Sequence, residues 1–256
     1  VGGTLIALLL GPYAACIAIS VALFIQAIIF GDGGILSFGA NCFNIAFILP
    51  FTGFFIYKIL NKIHLSPFYH KCTIFLSAYI SINLAAFFTA LELGIQPLLF
   101  VDNLAQPLYC PYPLWISIPA MALSHLTIAG IAEGLFTLSL YLFILKTSPN
   151  IIYDCQQIKL NSIFSLLAFL IIISPLGLIA EGTAWGEWAP EEILNDTSSG
   201  VPLGFIPEKL LNGFNYEAFF PDYTMSGTTD ILAYIASAII GVALLIIIFK
   251  ILIDQL

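Results

Sequence analysis

Long apolar runs alternate along this chain with short polar breaks, at intervals that suit membrane crossings. The runs cover residues 2–10, 12–30, 35–60, 68–93, 114–145, 160–179 and 231–253. An apolar layer of ~30 Å needs about 20 helical residues at ~1.5 Å each, and most of the runs reach that length. The first does not. It reads as a re-entrant half-helix or the tail of a truncated span, ending at Gly11-Pro12. Pro12 then opens the next helix at a position where its missing N–H costs nothing. The run over 114–145 is overlong, and Pro119 is expected to start its true helix, which ends near Lys146. The predicted fold is all-α: a polytopic transmembrane helical bundle with about six full spans plus one short or truncated N-terminal segment.

Composition narrows the class further. The chain is 60% hydrophobic and 9% charged, with a mean hydropathy of +1.03. Soluble domains carry roughly 25% charged residues, so the bulk of this chain faces a lipid bilayer. A net charge of −8 and the absence of arginine give no support to nucleic-acid binding. Five cysteines form no CxxC pair and read as small buried hydrophobes. No charged region precedes the first run, so no signal peptide is expected, and Val1 reads as a cut into a longer chain.

Lysine placement orients the spans. Lys58, Lys62 and Lys71, with His64 and His70, separate the third and fourth runs, Lys146 and Lys159 the fifth and sixth, and Lys250 ends the last. Placing these on the cytoplasmic side leaves Lys209 outside, together with Val1, Asp32, Asp102 and the acidic stretch. The expected layout is a single membrane domain. Its parts are a core bundle at 1–180, an extracytoplasmic acidic segment at 181–229 and a C-terminal span at 230–256. Trp185 and Trp188 in the outer segment suit interfacial anchors, and His64 and His70 a solvated loop.

The candidate chemistry lies in the polar residues that interrupt apolar runs, because hydrocarbon penalises them unless they are paired or face a cavity. FGDGGILSFGANCFN holds Asp32 in a turn that Gly31, Gly33 and Gly34 make possible. Asn41 and Asn44 share one helix face, either as interhelical glue or as cavity lining. Asn83 and Glu92 belong to the next span. In ALSHLTIAGIAEGLFT, His125 and Glu133 stand ~80° apart around a helix, too far for ideal ligation of one ion without a bend. They either hydrogen-bond across the bundle or serve a metal or proton. Gly130 and Gly134 form a small face for close helix approach. An intramembrane enzyme finds no support: HExxH, GxSxG, a P-loop and GxGxxG are all missing.

The stretch GGTLIALLLGPYAACIAISVALFIQAIIFGDGGILSFGANCFNIAF resembles the CbiM/NikM family, as do NLAAFFTALELGIQP and HLTIAGIAEGLFT. SPLGLIAEGTAWGEW and PDYTMSG also resemble the C-terminal part of CbiM. The resemblance implies the substrate-binding component of an energy-coupling-factor transporter that takes up Co²⁺ or Ni²⁺, with Co²⁺ for cobalamin synthesis the first expectation. The metal is then transported substrate, and the chain carries no cofactor of its own. The implied partners are a CbiQ-like transmembrane coupling subunit, CbiO-like ATPases and a small CbiN-like subunit, in a bacterial or archaeal cytoplasmic membrane. Family members begin Met-His-Ile-Pro-Asp-Gly, with a second His just before the position matching Val1, so the main ligands are expected upstream of it. On this view Asp32, Asn41, Asn44, Asn83 and Glu133 position that missing head or line the cavity, and His125 is the one metal-ligand candidate within the chain. The alternatives are a metal-free structural or assembly subunit of the same descent and, third, an intramembrane enzyme.

Overall fold

The computed structural model describes residues 2–63, 66–149, 152, 160–179, 184–214 and 216–254. Val1, His64 and Lys159, each named above, lie outside the described residues, as do Cys155 among the five cysteines and the first residues of the 181–229 segment. The apolar runs are helices: α1 at Gly3–Leu10, α2 at Pro12–Phe30, α3 at Phe38–Asn61, α4 at Pro67–Leu99 and α5 at Leu114–Thr147. After them come α6 at Leu160–Ile173, the short α7 (Pro190–Leu194) and α8 (Glu208–Leu211), and α9 at Asp230–Asp254. Among the described residues, α2, α3, α4, α5 and α9 are long and apolar enough to cross a membrane. Phe164–Ile179 is a shorter apolar helix beside them. The protein is thus a multi-pass all-α bundle, with α1 as its short N-terminal segment.

Pro119 does not start α5. That helix begins at Leu114 behind Pro113 and carries Pro119 inside it. An internal proline forfeits one backbone hydrogen bond, and burial of Ile116, Ser117 and Met121 around it offsets that loss. His70 likewise lies in the first turn of α4 rather than in a solvated loop. Its Nδ1 is 2.9 Å from Asn61 Oδ1, and the helix is capped by Ser66, whose hydroxyl accepts from Tyr69 N at 3.2 Å.

The short α1 sits at the centre of the bundle. Its Leu5, Ala7 and Leu8 pack among Ala15, Ile19, Ala46, Phe54, Ile74 and Tyr141. At ~12 Å long it covers less than half of an apolar layer. Two close approaches hold it there. A Cβ at Gly53 of α3 would fall 2.4 Å from Thr4 Oγ1, so only glycine admits the Thr4 side chain. The Thr4 and Ser81 hydroxyls then bond at 2.7 Å, tying α1 to α4. Gly130 and Gly134 serve α5 in the same way: added methyl groups would strike Asn83 and Tyr79 at the first and the Phe75 ring at the second. That is the close helix contact expected of a small-residue face.

Residues 184–229 fold back over the outer ends of the bundle. Trp185 and Trp188 are half-buried and pack at tilted angles against the buried Tyr112, in a cluster with Cys110, Ile116, Leu93 and Leu203. Backbone bonds from Lys209 N to Leu108 O (3.0 Å) and from Phe220 N to Ile29 O (2.9 Å) complete the cap.

Candidate functional site

Among the described residues three helices are widened by π turns, and each turn carries a polar residue: Gln26 in Gln26–Phe30, Asn44 in Cys42–Ile48 and His125 in His125–Ala129. The wider turn sends Leu49 N–H to Asn44 O and Gly130 N–H to His125 O. Such turns re-aim side chains and recur at functional positions. Here they lie in the half of the bundle nearer the cap.

At the cap itself, Asp32 sits in the glycine turn. Gly31, Gly33 and Gly34 adopt φ of 74°, 73° and 67°, which L side chains avoid. The Asp32 carboxylate accepts from Gln26 Nε2 at 2.5 Å and from the Tyr223 hydroxyl. Burial first, then the Asp32 bond and charge, push the Tyr223 phenol far above the ordinary tyrosine range. It therefore remains a donor. Glu187, at the cap's open edge, is also raised, by desolvation against the cap and then by the Asp32 charge. Asn41 Nδ2 donates to Gly33 O at 2.9 Å and so braces the same turn. Also in the cap, Tyr112 donates to the Asp196 carboxylate.

Deeper in the bundle, Asn44 Nδ2 donates to Glu92 Oε2 at 2.7 Å, joining α3 to α4. Both lie about 10 Å below the outer ends of their helices. Asn44 is 3% exposed, and its Oδ1 is buried with no hydrogen-bond partner among the described residues. His125 follows at about 16 Å below the start of α5. Its Nδ1 bonds within its own helix, to Met121 O at 2.9 Å and Ser124 Oγ at 3.1 Å. Asn83 Nδ2 donates to Tyr79 O at 2.7 Å and lies against Gly130.

Glu133 is the deepest. It is 1% exposed, and the Gly2 N–H forks onto its two oxygens at 2.9 and 3.0 Å, with the Thr137 hydroxyl at 3.5 Å from Oε1. The carboxylate thus seats the N-terminus of α1, the positive end of that helix's dipole. This joins Glu133 across the bundle as its position suggested, but to α1 and not to His125. Among the described residues no three His, Cys, Asp or Glu side chains converge as a metal site. The six residues singled out from the sequence instead form a series at graded depth. Sequence reasoning missed Gln26, Glu187 and Tyr223. Gln26 is an amide inside an apolar run and is open to the argument used for Asn44, whereas the other two gave no local signal.

Comparison with known proteins places this geometry. The family model for CbiM, the cobalt uptake substrate-specific transmembrane region, matches residues 1–151, and that for the PDGLE domain matches 160–254. The stretch that resembled the C-terminal part of CbiM therefore matches a family model of its own. A probable fused nickel transport protein, LarMN, of Lactiplantibacillus plantarum is 41% identical over 251 residues, spanning 98% of this chain and 75% of that protein. A fused nickel transport protein, NikMN, of Rhodobacter capsulatus is 39% identical over 256 residues, spanning 94% and 74%. The crystal structure of a truncated transition metal transporter matches at 49% identity and a TM-score of 0.54, over 57% of this chain and 67% of that one. A membrane bundle with these motifs, matched by the CbiM model over more than half its length, belongs to the CbiM family of cobalt uptake substrate-specific transmembrane proteins.

Proposed function

We propose that this chain is the substrate-specific membrane subunit of an energy-coupling-factor transporter and that its principal substrate is Ni²⁺. The observation that carries the choice of metal is coverage. The relatives that align along nearly the whole chain are named for nickel transport, whereas those named for cobalt align over about half of it or less. Co²⁺ is the second reading, supported by the family description itself. The polar series from Asp32 to Glu133 suits passage of a divalent cation, and imidazole and amine nitrogens suit either metal.

In this reading ATP is hydrolysed by separate CbiO-like subunits and coupled through a CbiQ-like partner in a bacterial or archaeal cytoplasmic membrane. Residues 160–254 supply within the chain the part expected of a small CbiN-like subunit. Asn41 braces the Asp32 turn, Glu133 seats α1, and both position the metal-binding head. The test is uptake of radioactive Ni²⁺ by cells carrying the full-length gene with its partners, in competition with Co²⁺. Uptake blocked by excess Ni²⁺ and only weakly by Co²⁺ is expected. The opposite order would make cobalt the substrate, and uptake of neither metal would leave the structural-subunit alternative.

A further inference from the structure

We infer that Asn44 and Glu92 form a weak oxygen-donor transit site for a divalent cation in the outer half of the bundle. The inference rests on the transport reading above and adds a step to it.

The first observation is the orphaned acceptor. Asn44 spends its Nδ2 on Glu92, and its Oδ1 is left buried with no donor among the described residues. A buried amide oxygen without a partner costs free energy, so it persists where a ligand uses it. The second is the neighbour. Glu92 is half-buried and its Oε2 accepts from the Asn44 amide, so an anionic carboxylate and the orphaned carbonyl oxygen belong to one hydrogen-bonded pair. The third is the backbone. The π turn over Cys42–Ile48 sets the direction of Asn44, and it departs from the regular helix at this position.

The donor set decides between holding and passing. One carboxylate and one amide oxygen suit Mg²⁺ or Ca²⁺ better than Ni²⁺ or Co²⁺, which prefer nitrogen. No third acidic, His or Cys ligand joins the pair among the described residues. A permeation site must attract its ion and still let it go. The location fits as well. Leu93, next to Glu92, packs under Trp185 in the cap, and a Cβ on Gly186 would lie 2.9 Å from its side chain. The pair therefore stands just inside the cap that carries Asp32 and Glu187, and above the level of His125.

The experiment compares the full-length protein with Asn44→Leu, Glu92→Gln and Asn44→His, reading two quantities. One is the initial rate of ⁶³Ni²⁺ uptake in cells with the partner subunits. The other is the amount of Ni²⁺ retained by the purified protein. Asn44→Leu and Glu92→Gln are expected to slow uptake about tenfold while retention and melting temperature stay within error. Asn44→His adds a nitrogen donor, and it is expected to slow uptake while raising retained Ni²⁺. Undiminished uptake in the first two variants would overturn the transit site. So would a fall in melting temperature with retention lost in proportion, since that marks a purely structural amide. Failure of the unmutated protein to move Ni²⁺ or Co²⁺ would instead defeat the transport reading on which the site rests.

Discussion

Replacing Glu133 should release α1 from the bundle, by an amount that depends on what replaces it. In Glu133→Leu the Gly2 N–H stays buried with no acceptor, a loss of ~1–3 kcal/mol. The helix dipole also loses its counter-charge, worth up to ~2 kcal/mol in a partly buried setting. Against this, removal of a buried carboxylate returns part of its desolvation cost. The net expectation is about 2 kcal/mol for Leu. Glu133→Gln keeps one of the two acceptor oxygens and loses the charge, about 1 kcal/mol. Hydrogen exchange of the Gly3–Leu10 amides in nanodiscs reads this opening directly. With ~1.4 kcal/mol per decade, the α1 amides should exchange roughly 30-fold faster in the Leu variant and ~5-fold faster in the Gln variant. Amides elsewhere in the bundle should change far less. A Leu variant exchanging at the unmutated rate, or more slowly, would show that desolvation outweighs the anchor and would refute the assignment.

Three further outcomes follow from the packing and the cap. Gly53→Ala puts a methyl 2.4 Å from Thr4 Oγ1 and should lower stability by ~1–3 kcal/mol, read as a drop in melting temperature; pairing it with Thr4→Ala should recover most of the loss. Tyr112→Phe removes the bond to Asp196 and should loosen the cap by ~1–2 kcal/mol, seen as a red shift of Trp185 and Trp188 emission with transmembrane helicity unchanged. Glu187 is held above its ordinary value of 4.5 in the folded protein, so the docked cap binds this proton more tightly than the released one. Its contribution is full below 4.5 and is lost as pH rises through the raised value, so proteolysis of the cap should speed up across that range and lose the step in Glu187→Gln.

The spans were legible because burial in lipid imposes a length and a composition that no other context requires. The glycine turn around Asp32 and the Gly130/Gly134 contact were legible for a similar reason: each needs a residue type that few others can replace. Candidate polar residues could be found by the cost of leaving them in hydrocarbon, but that cost says nothing about which partner relieves it. Asn41 and Asn44 share a helix face, yet the first reaches back to Gly33 and the second across to Glu92. Glu133 meets Gly2, a backbone group more than a hundred residues away that no side-chain pattern marks. The tryptophan cluster was not legible for a physical reason, since an amphipathic ring suits a membrane interface and a capping cluster equally well.

Two families of sequence meet in this chain, and the cap shows how they are joined. Tyr112 and the Asp32 turn belong to the stretch matched by CbiM, while Asp196, Trp185 and Tyr223 belong to that matched by PDGLE. Ring contacts accompany the two bonds, the two tryptophans packing at tilted angles against Tyr112 and Phe30 stacking on Tyr223. Because both halves are one chain, docking is intramolecular and avoids the translational cost that a separate subunit would face. Modest contacts therefore suffice, and modest contacts can also open. The cap is held by partly buried carboxylate–phenol bonds, each worth only ~1–2 kcal/mol after solvent screening. The fully buried bonds of Glu133 and Thr4 instead keep α1 fixed beneath it. The bonds of the cap are thus the weaker set, and the buried bonds that hold α1 the stronger.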